Sequence, residues 1–176
     1  TVNVNGTFGP VAVDVRYSSA QLDGVNTVAG KSSFDSETML SINAAMKVDT
    51  INLTAGYAQT NDSKHDIAGV KDVNARLHGV DLTSDNDGKT NVAMELLNVD
   101  SVNDAKAFTI GASTTLGQTT LSVNYLNGDS DAAELDFSEL DLKATYAMSK
   151  NFSIEAVYAM SELDFKLDAA DLDDDA

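Results

Sequence analysis

The chain lacks cysteine and tryptophan, holds a single proline, and sets only 11 lysines and arginines against 28 aspartates and glutamates. Without cysteine there is no disulfide, no thiolate nucleophile and no sulfur-ligated metal. No run of eighteen apolar residues occurs, so no segment crosses a bilayer as a helix. A net charge of −17 leaves no basic stripe to neutralise phosphates, which argues against nucleic acid as a partner. No signal peptide is visible among these residues. The chain opens mid-pattern at Val2, as a mature protein or a segment of a longer one would. There is no G-x-S-x-G elbow, no cofactor fingerprint and no complete metal motif. The only histidines, His65 and His78, sit beside Lys64 and Arg76 with no converging partners. The chain is therefore expected to be no enzyme and to need no cofactor.

What the chain does have is alternation. From Phe137 to Ser161, Leu140, Leu142, Ala144, Tyr146 and Met148 share one parity, and Phe152, Ile154, Ala156, Tyr158 and Met160 continue it after a turn. Period-two patterning of this length describes strands with one apolar and one polar face. Reading Ser149-Lys150-Asn151 as the turn puts Met148 opposite Phe152 and keeps both apolar faces on one side. The unit recurs around Gly9-Pro10, Asp49-Thr50 and Gly117-Gln118, where Phe8 would pair with Val11, Val48 with Ile51 and Leu116 with Thr119. Glycine first in two of these turns suits type II′ geometry. Tyr17, Tyr57, Tyr125 and Tyr158 each fall six residues after the first position past a turn. That spacing predicts an aromatic belt on the apolar face.

The predicted strands are 2–8, 11–19, 38–48, 51–60, 73–83, 90–99, 107–116, 119–127, 138–148 and 151–161. They form an all-β antiparallel up-and-down meander of about ten strands over 1–161. Such a meander is a β-barrel or part of a larger one, followed by an acidic tail, 162–176. Within 62–83, Ile67, Val70, Val73 and Leu77 also fit a short helix capped by Asp66; a strand with an irregularity at Gly79 is preferred. Connections alternate between short turns and longer polar loops (20–37, 61–72, 100–106, 128–137). That alternation, with strands of about ten residues, describes outer-membrane barrels. Asp14, Arg16, Lys47, Glu95, Asp141, Lys143 and Glu155 take the parity opposite the apolar one and are expected to line a lumen. In a soluble sandwich the same parity would face bulk water.

The hairpin Y-A-M-S-K-N-F-S-I-E-A-V-Y-A, with G-A-S-T-T-L-G-Q-T-T-L-S-V-N-Y before it, resembles the late strands of Gram-negative outer-membrane porins. It is most similar to the major outer-membrane proteins of Campylobacter-like bacteria. The resemblance covers 107–161 well and 38–60 fairly. It implies a trimeric or monomeric diffusion channel for small polar solutes and ions, set in outer-membrane lipid, with homo-oligomers among its partners. Porins usually end on an aromatic residue, where this chain has Asp173-Asp174-Asp175-Ala176. The residues themselves leave a second reading open: a non-catalytic secreted all-β subunit of an extracellular filament or surface layer, assembled through strand edges.

Three polar features remain. Asp85-Asn86-Asp87-Gly88 reads as a turn rather than a calcium loop, since the distal Glu is missing. The tail is ordinarily a solvated acidic stretch, in which Asp171, Asp173, Asp174 and Asp175 can hold Ca²⁺ loosely. The sequons at Asn5, Asn52, Asn61 and Asn151 are expected by chance. If a pore forms, cation preference is expected. Asp129, Asp131, Glu134 and Asp136 crowd one predicted loop and Asp23 and Asp35 another, against Lys64, Lys71 and Arg76.

Overall fold

A computed structural model describes residues 1–20, 26–27, 30–31, 33–34, 36–67, 70–74, 95–97, 99 and 102–166. Thirteen strands are described. Eight are long: β1 (Val2–Phe8), β2 (Val11–Ala20), β6 (Glu37–Val48), β7 (Ile51–Thr60), β10 (Ala105–Leu116), β11 (Thr119–Ser130), β12 (Leu135–Ser149) and β13 (Phe152–Phe165). They form one sheet in the order β1-β2-β6-β7-β10-β11-β12-β13, every neighbour antiparallel. Five short strands sit in the connections. β3 (Asn26–Thr27) pairs β4 (Gly30–Lys31), while β5 (Ser33–Phe34), β8 (Lys64–Ile67) and β9 (Val70–Asn74) make a small three-stranded sheet.

The turns follow from local backbone chemistry. Phe8 pairs with Val11, Val48 with Ile51 and Leu116 with Thr119. Gly9 and Gly117 carry φ of 60° and 64°, the left-handed value that the first position of a type II′ turn requires. Asp49 adopts 55° in the same role, at a steric cost that glycine avoids. The last hairpin differs from its sequence reading. Ser149, not Met148, faces Phe152 across a two-residue turn, and a bulge between Ala147 and Ser149 takes up Met148. A bulge inserts one residue without reversing the faces beyond it, so Ala147 still faces Ser153.

Other boundaries move too. Among the described residues the main sheet has eight strands, in line with a meander of about ten. Residues 64–74 form the β8–β9 hairpin, with Asp66 paired to Ser33 of β5 instead of capping a helix. A non-local strand partner overrides the helical spacing there. Of the strand expected over 73–83, residues 75–83 lie outside the described residues, as do Gly79, His78 and 85–88. Of the strand expected over 90–99, residues 90–94 and 98 lie outside the described residues, and Glu95 and Leu96 form a bend rather than a strand. Glu95, Leu97 and Val99 are apolar or charged on one parity and Leu96 is apolar on the other, so no clean face exists to lie on a sheet. The loop expected over 128–137 shrinks to the turn 131–134, because β11 runs to Ser130 and β12 starts at Leu135. Asp129 and Asp136 consequently pair within strands. β13 continues to Phe165, and 167–176 lie outside the described residues.

The register carries a constant slip. Tyr17 pairs Leu40, which pairs Gln59, two residues from Tyr57; Tyr57 pairs Phe108, which pairs Asn127, two residues from Tyr125; Tyr125 pairs Leu140, which pairs Met160, two residues from Tyr158. The turns advance by about the same step. One residue of slip per strand, at about 3.3 Å rise and 4.8 Å strand spacing, corresponds to a tilt of about 35°. Barrel strands tilt by roughly 35–45°, so the four tyrosines step along the outer face as residues of one depth on tilted strands do.

Candidate functional site

The two faces of the sheet are inverted relative to a soluble protein. On the outer parity, Phe8 is 73% exposed, Leu116 62%, Tyr158 60% and Phe152 58%, with Val4, Ile42, Leu53, Ile110, Leu121 and Ile154 also open. On the inner parity, Arg16, Ser18, Glu37, Ser41, Asn43, Thr60, Thr109, Ser130, Glu139 and Asp141 are all buried. Leaving large apolar side chains in water forgoes about 1.5–3 kcal/mol each. The exposed face therefore needs an apolar environment, and the polar face is the one turned towards the molecule's own contents.

Those contents include a length of chain. Residues 95–97, 99, 102 and 103 lie on the inner wall and are held at both ends of this stretch. At one end the carboxylate of Glu139, on β12, accepts the backbone N–H groups of Leu96 and Leu97 at 2.8 and 2.7 Å. Asp141, two residues on and on the same face, accepts the Glu95 N–H at 3.2 Å. Lys143, next along that face, reaches Glu95 at 2.7 Å and Glu155 of β13 at 3.6 Å. Three residues of β12, alternate in sequence, thus meet three successive amides and one side chain of the crossing segment. Charge-assisted bonds of this kind are the stronger ones.

At the other end the bonds come from hydroxyls and amides. Thr60 Oγ1 donates to the Val102 carbonyl at 2.7 Å and accepts from the Ala105 N–H at 2.8 Å. Asn103 Oδ1 accepts from the Ser63 N–H and hydroxyl at 3.1 and 2.9 Å, and its Nδ2 donates to the Ser63 carbonyl. Ser130 Oγ donates to the Asn103 carbonyl at 2.6 Å. Between the anchors, buried Val99 and the partly buried Leu97 and Val102 pack on Met39, Ala58, Ala105, Ala107, Leu126 and Phe137. These wall residues are on the inner parity, so the loop end of the polar face contains a small apolar core. Gly128 makes room for it: a Cβ there would come within 2.6 Å of both the Phe137 ring and the Lys106 carbonyl.

The residues predicted to line a lumen are distributed over this wall. Asp14, Arg16, Lys47, Asp141, Lys143 and Glu155 occupy strand positions on the inner parity. Glu95 arrives from the bend rather than from a strand, and faces the wall from above. Two charged residues were missed. Glu139 has the parity of Asp141 and is fully buried, and Glu37 shares the face through its pairing with Ala20. Parity alone would have found Glu139; Glu37 also needed the strand to begin one residue earlier than 38. One oxygen each of Glu37, Asn43 and Asp141 is buried without a hydrogen-bond partner. At the rim, Lys166 hydrogen-bonds Asp136 at 2.7 Å, and that bond holds its ammonium above the ordinary lysine range. His65 lies in β8, and His78 and the tail aspartates Asp171, Asp173, Asp174 and Asp175 are outside the described residues. Among the described residues no acid–histidine cluster is arranged to hold a metal.

Comparison with known proteins follows the same lines. A family model described as Gram-negative porin matches residues 1–166. No curated protein matches the chain. Among solved structures, OccK8 (OprE) of Pseudomonas aeruginosa is similar with a TM-score of 0.58 and 13% identity, over 92% of this chain and 45% of that one. OmpT of Vibrio cholerae, an outer-membrane protein folded in vitro and seen in a trimer form, is similar with a TM-score of 0.51 and 12% identity, over 92% of this chain and 44% of that one. The chain thus spans less than half the length of these two neighbours.

Proposed function

This chain belongs to the Gram-negative porin family and so to the bacterial outer membrane, and we propose that it forms wall of a water-filled channel through which small hydrophilic solutes and ions diffuse passively, cations in preference to anions. The observation that carries the reading is the inversion of faces: apolar and open outside, polar and partly covered by Leu97, Val99 and Val102 inside. Strands with short turns at one end and longer loops at the other place the loops outside the cell and the turns in the periplasm. Tyr17, Tyr57, Tyr125 and Tyr158 then form an interfacial belt on the lipid side. A filament subunit that stays in aqueous buffer does not fit so much open apolar surface.

The sign of the preference rests on charge. Glu37 and Glu139 join Asp14, Glu95, Asp141 and Glu155 on the inner side, against Arg16, Lys47 and Lys143. An excess of acid along a confined path raises the local cation concentration. Glu139 and Asp141 are partly spent on backbone amides, so Asp14, Glu95 and Glu155 act on passing ions most directly. The reading assigns the chain no catalysis, and self-association is part of it, since one neighbour occurs as a trimer. Planar bilayers test it. Conductance steps with a reversal potential of cation sign in a KCl gradient are expected. Anion preference at low salt would overturn the sign, and absence of any conductance would overturn the channel.

A further inference from the structure

Two acids of the inner wall have nothing to neutralise them. Glu139 and Asp141 are buried on one face of β12. Asp141 Oδ2 accepts the amide of Glu95, and Glu139 accepts those of Leu96 and Leu97. Consecutive residues lie about 3.8 Å apart, so acceptors of consecutive amides stand side by side. The two carboxyls are within hydrogen-bond reach of each other. Among the described residues, the charged groups around them are Glu95 on the crossing segment, Lys143 on β12 and Glu155 on β13. Lys143 is committed to Glu95 at 2.7 Å and to Glu155 at 3.6 Å, which leaves no cation for the pair. Asp141 Oδ1 is buried without a hydrogen-bond partner. The flanking strands give it no donor: Ala159 faces it from β13, and the Asn124 carboxamide on β11 leans over Gly111 instead. Opposite Glu139 stand Leu126 and Ser161, neither of them charged.

We propose that one proton shared between Glu139 and Asp141 fastens residues 95–97 to the wall, and that its release as the pH rises widens the path. Two carboxylates buried side by side each disfavour the other's charge. A proton taken from water onto Asp141 Oδ1 removes one of the two charges and creates the missing donor. Its O–H donates to a Glu139 oxygen, Asp141 Oδ2 still accepts the Glu95 amide, and Glu139 still accepts the next two. Every polar group of the junction is then paired. A proton on Glu139 would instead turn one of its two amide acceptors into a donor facing an N–H. The pair therefore titrates as a unit, with its proton on the aspartate. When that proton returns to water, two like charges are left adjacent beneath the three amides, and the hold on the segment weakens. The effect on the path rests on the channel reading above; the shared proton does not.

Asp141→Asn tests the assignment, because its carboxamide donates to Glu139 and accepts from Glu95 at every pH. Glu139→Gln cannot do the same, since its NH₂ group meets an amide N–H. Infrared difference spectra of the detergent-folded protein would be taken between about pH 8 and about pH 5.5, a range in which exposed carboxyls stay ionised. One carboxyl per chain should gain a proton in the unaltered protein and none in Asp141→Asn. In planar bilayers the unaltered protein should conduct more at the higher pH. Asp141→Asn should lack that step and stay narrow, and Glu139→Gln should conduct more at both pH values. Absence of the carboxyl band from the unaltered protein overturns the proposal, whether or not the variants fold. So does a pH step that survives in Asp141→Asn, or an Asp141→Asn as destabilised as Glu139→Gln. A band with conductance that ignores pH overturns the widening of the path. A band in a protein that never conducts supports the shared proton and removes the channel reading instead.

Discussion

The inner face has two halves built on the same strands and the same parity. Near the loops it is dry: Met39, Ala58, Ala107, Leu126 and Phe137 are buried under Leu97, Val99 and Val102, with Thr60, Ser63, Asn103 and Ser130 hydrogen-bonded around them. Near the turns it is open: Lys47, Asn52, Thr115 and Glu155 are exposed, and Ser113, Ser122 and Thr145 partly so. Alternation alone sets which residues point inward. What they then do depends on whether a remote segment comes to lie on them. On the channel reading proposed above, the path narrows at the loop end, where side chains are held on both sides, and widens at the turn end.

If that contrast is sound, substitutions on one parity should separate by position. The largest effect is expected from Glu139→Ala. It leaves the Leu96 and Leu97 N–H groups without their charged acceptor; Leu97 is half-buried and Leu96 exposed, so water replaces part of what is lost. A loss of about 1.5–3 kcal/mol in the detergent-folded protein, the range for a hydrogen bond to a charged group, read by denaturant midpoint, should accompany a larger single-channel conductance as residues 95–97 leave the wall. An unchanged conductance with reduced stability would mean that this segment does not narrow the path.

Next comes Gly128→Ala. The new methyl meets both backbone and an aromatic ring at 2.6 Å, and only the ring can yield. Overpacking of this sort costs about 1–3 kcal/mol. The same substitution at Gly6, in strand β1, where a Cβ would meet only the Phe8 ring at 3.7 Å, serves as the comparison. Equal losses at both glycines would mean that crowding around Gly128 is not what sets the cost. Thr60→Val should cost about 1–2 kcal/mol, because its hydroxyl both donates to Val102 and accepts from Ala105 within a buried junction. Hydrogen exchange at the Ala105 amide would rise with it.

The contrast also marks what could be read from the sequence. The hairpins were legible because a two-residue period and a glycine turn are local; Phe8, Val48 and Leu116 found their partners from spacing alone. The crossing segment was not, because its anchors come from far along the chain: Leu96 and Leu97 depend on Glu139, and Asn103 on Ser63. Nothing in Glu95-Leu96-Leu97 shows that it will face two carboxylates more than forty residues away. The loop end misled for a related reason. Asp129 and Asp136 are poor strand formers, and ladders on both sides keep them extended, Asp129 between Lys106 and Asp136 and Asp136 between Asp129 and Asp164. The bulge at Met148 escaped because a three-residue turn and a two-residue turn with a bulge give the same parity downstream.

The smallest stability effect and the most telling functional one are expected at the turn end. Lys47 is exposed on the inner parity of β6, opposite Asn52. Lys47→Gln should move stability by less than about 0.5 kcal/mol, as surface substitutions away from packed features do. It nevertheless removes one of the few bases that offset the inner acids, so the cation preference should grow. The change should be clear at 0.01 M KCl, where charges act over about 30 Å, and small at 1 M, where they act over about 3 Å. Reversal potentials of the two proteins across that range decide the matter. A shift that persists at 1 M would mean that Lys47 acts by occupying the path rather than by its charge, and a shift towards anions would mean that the open half does not face the ions at all.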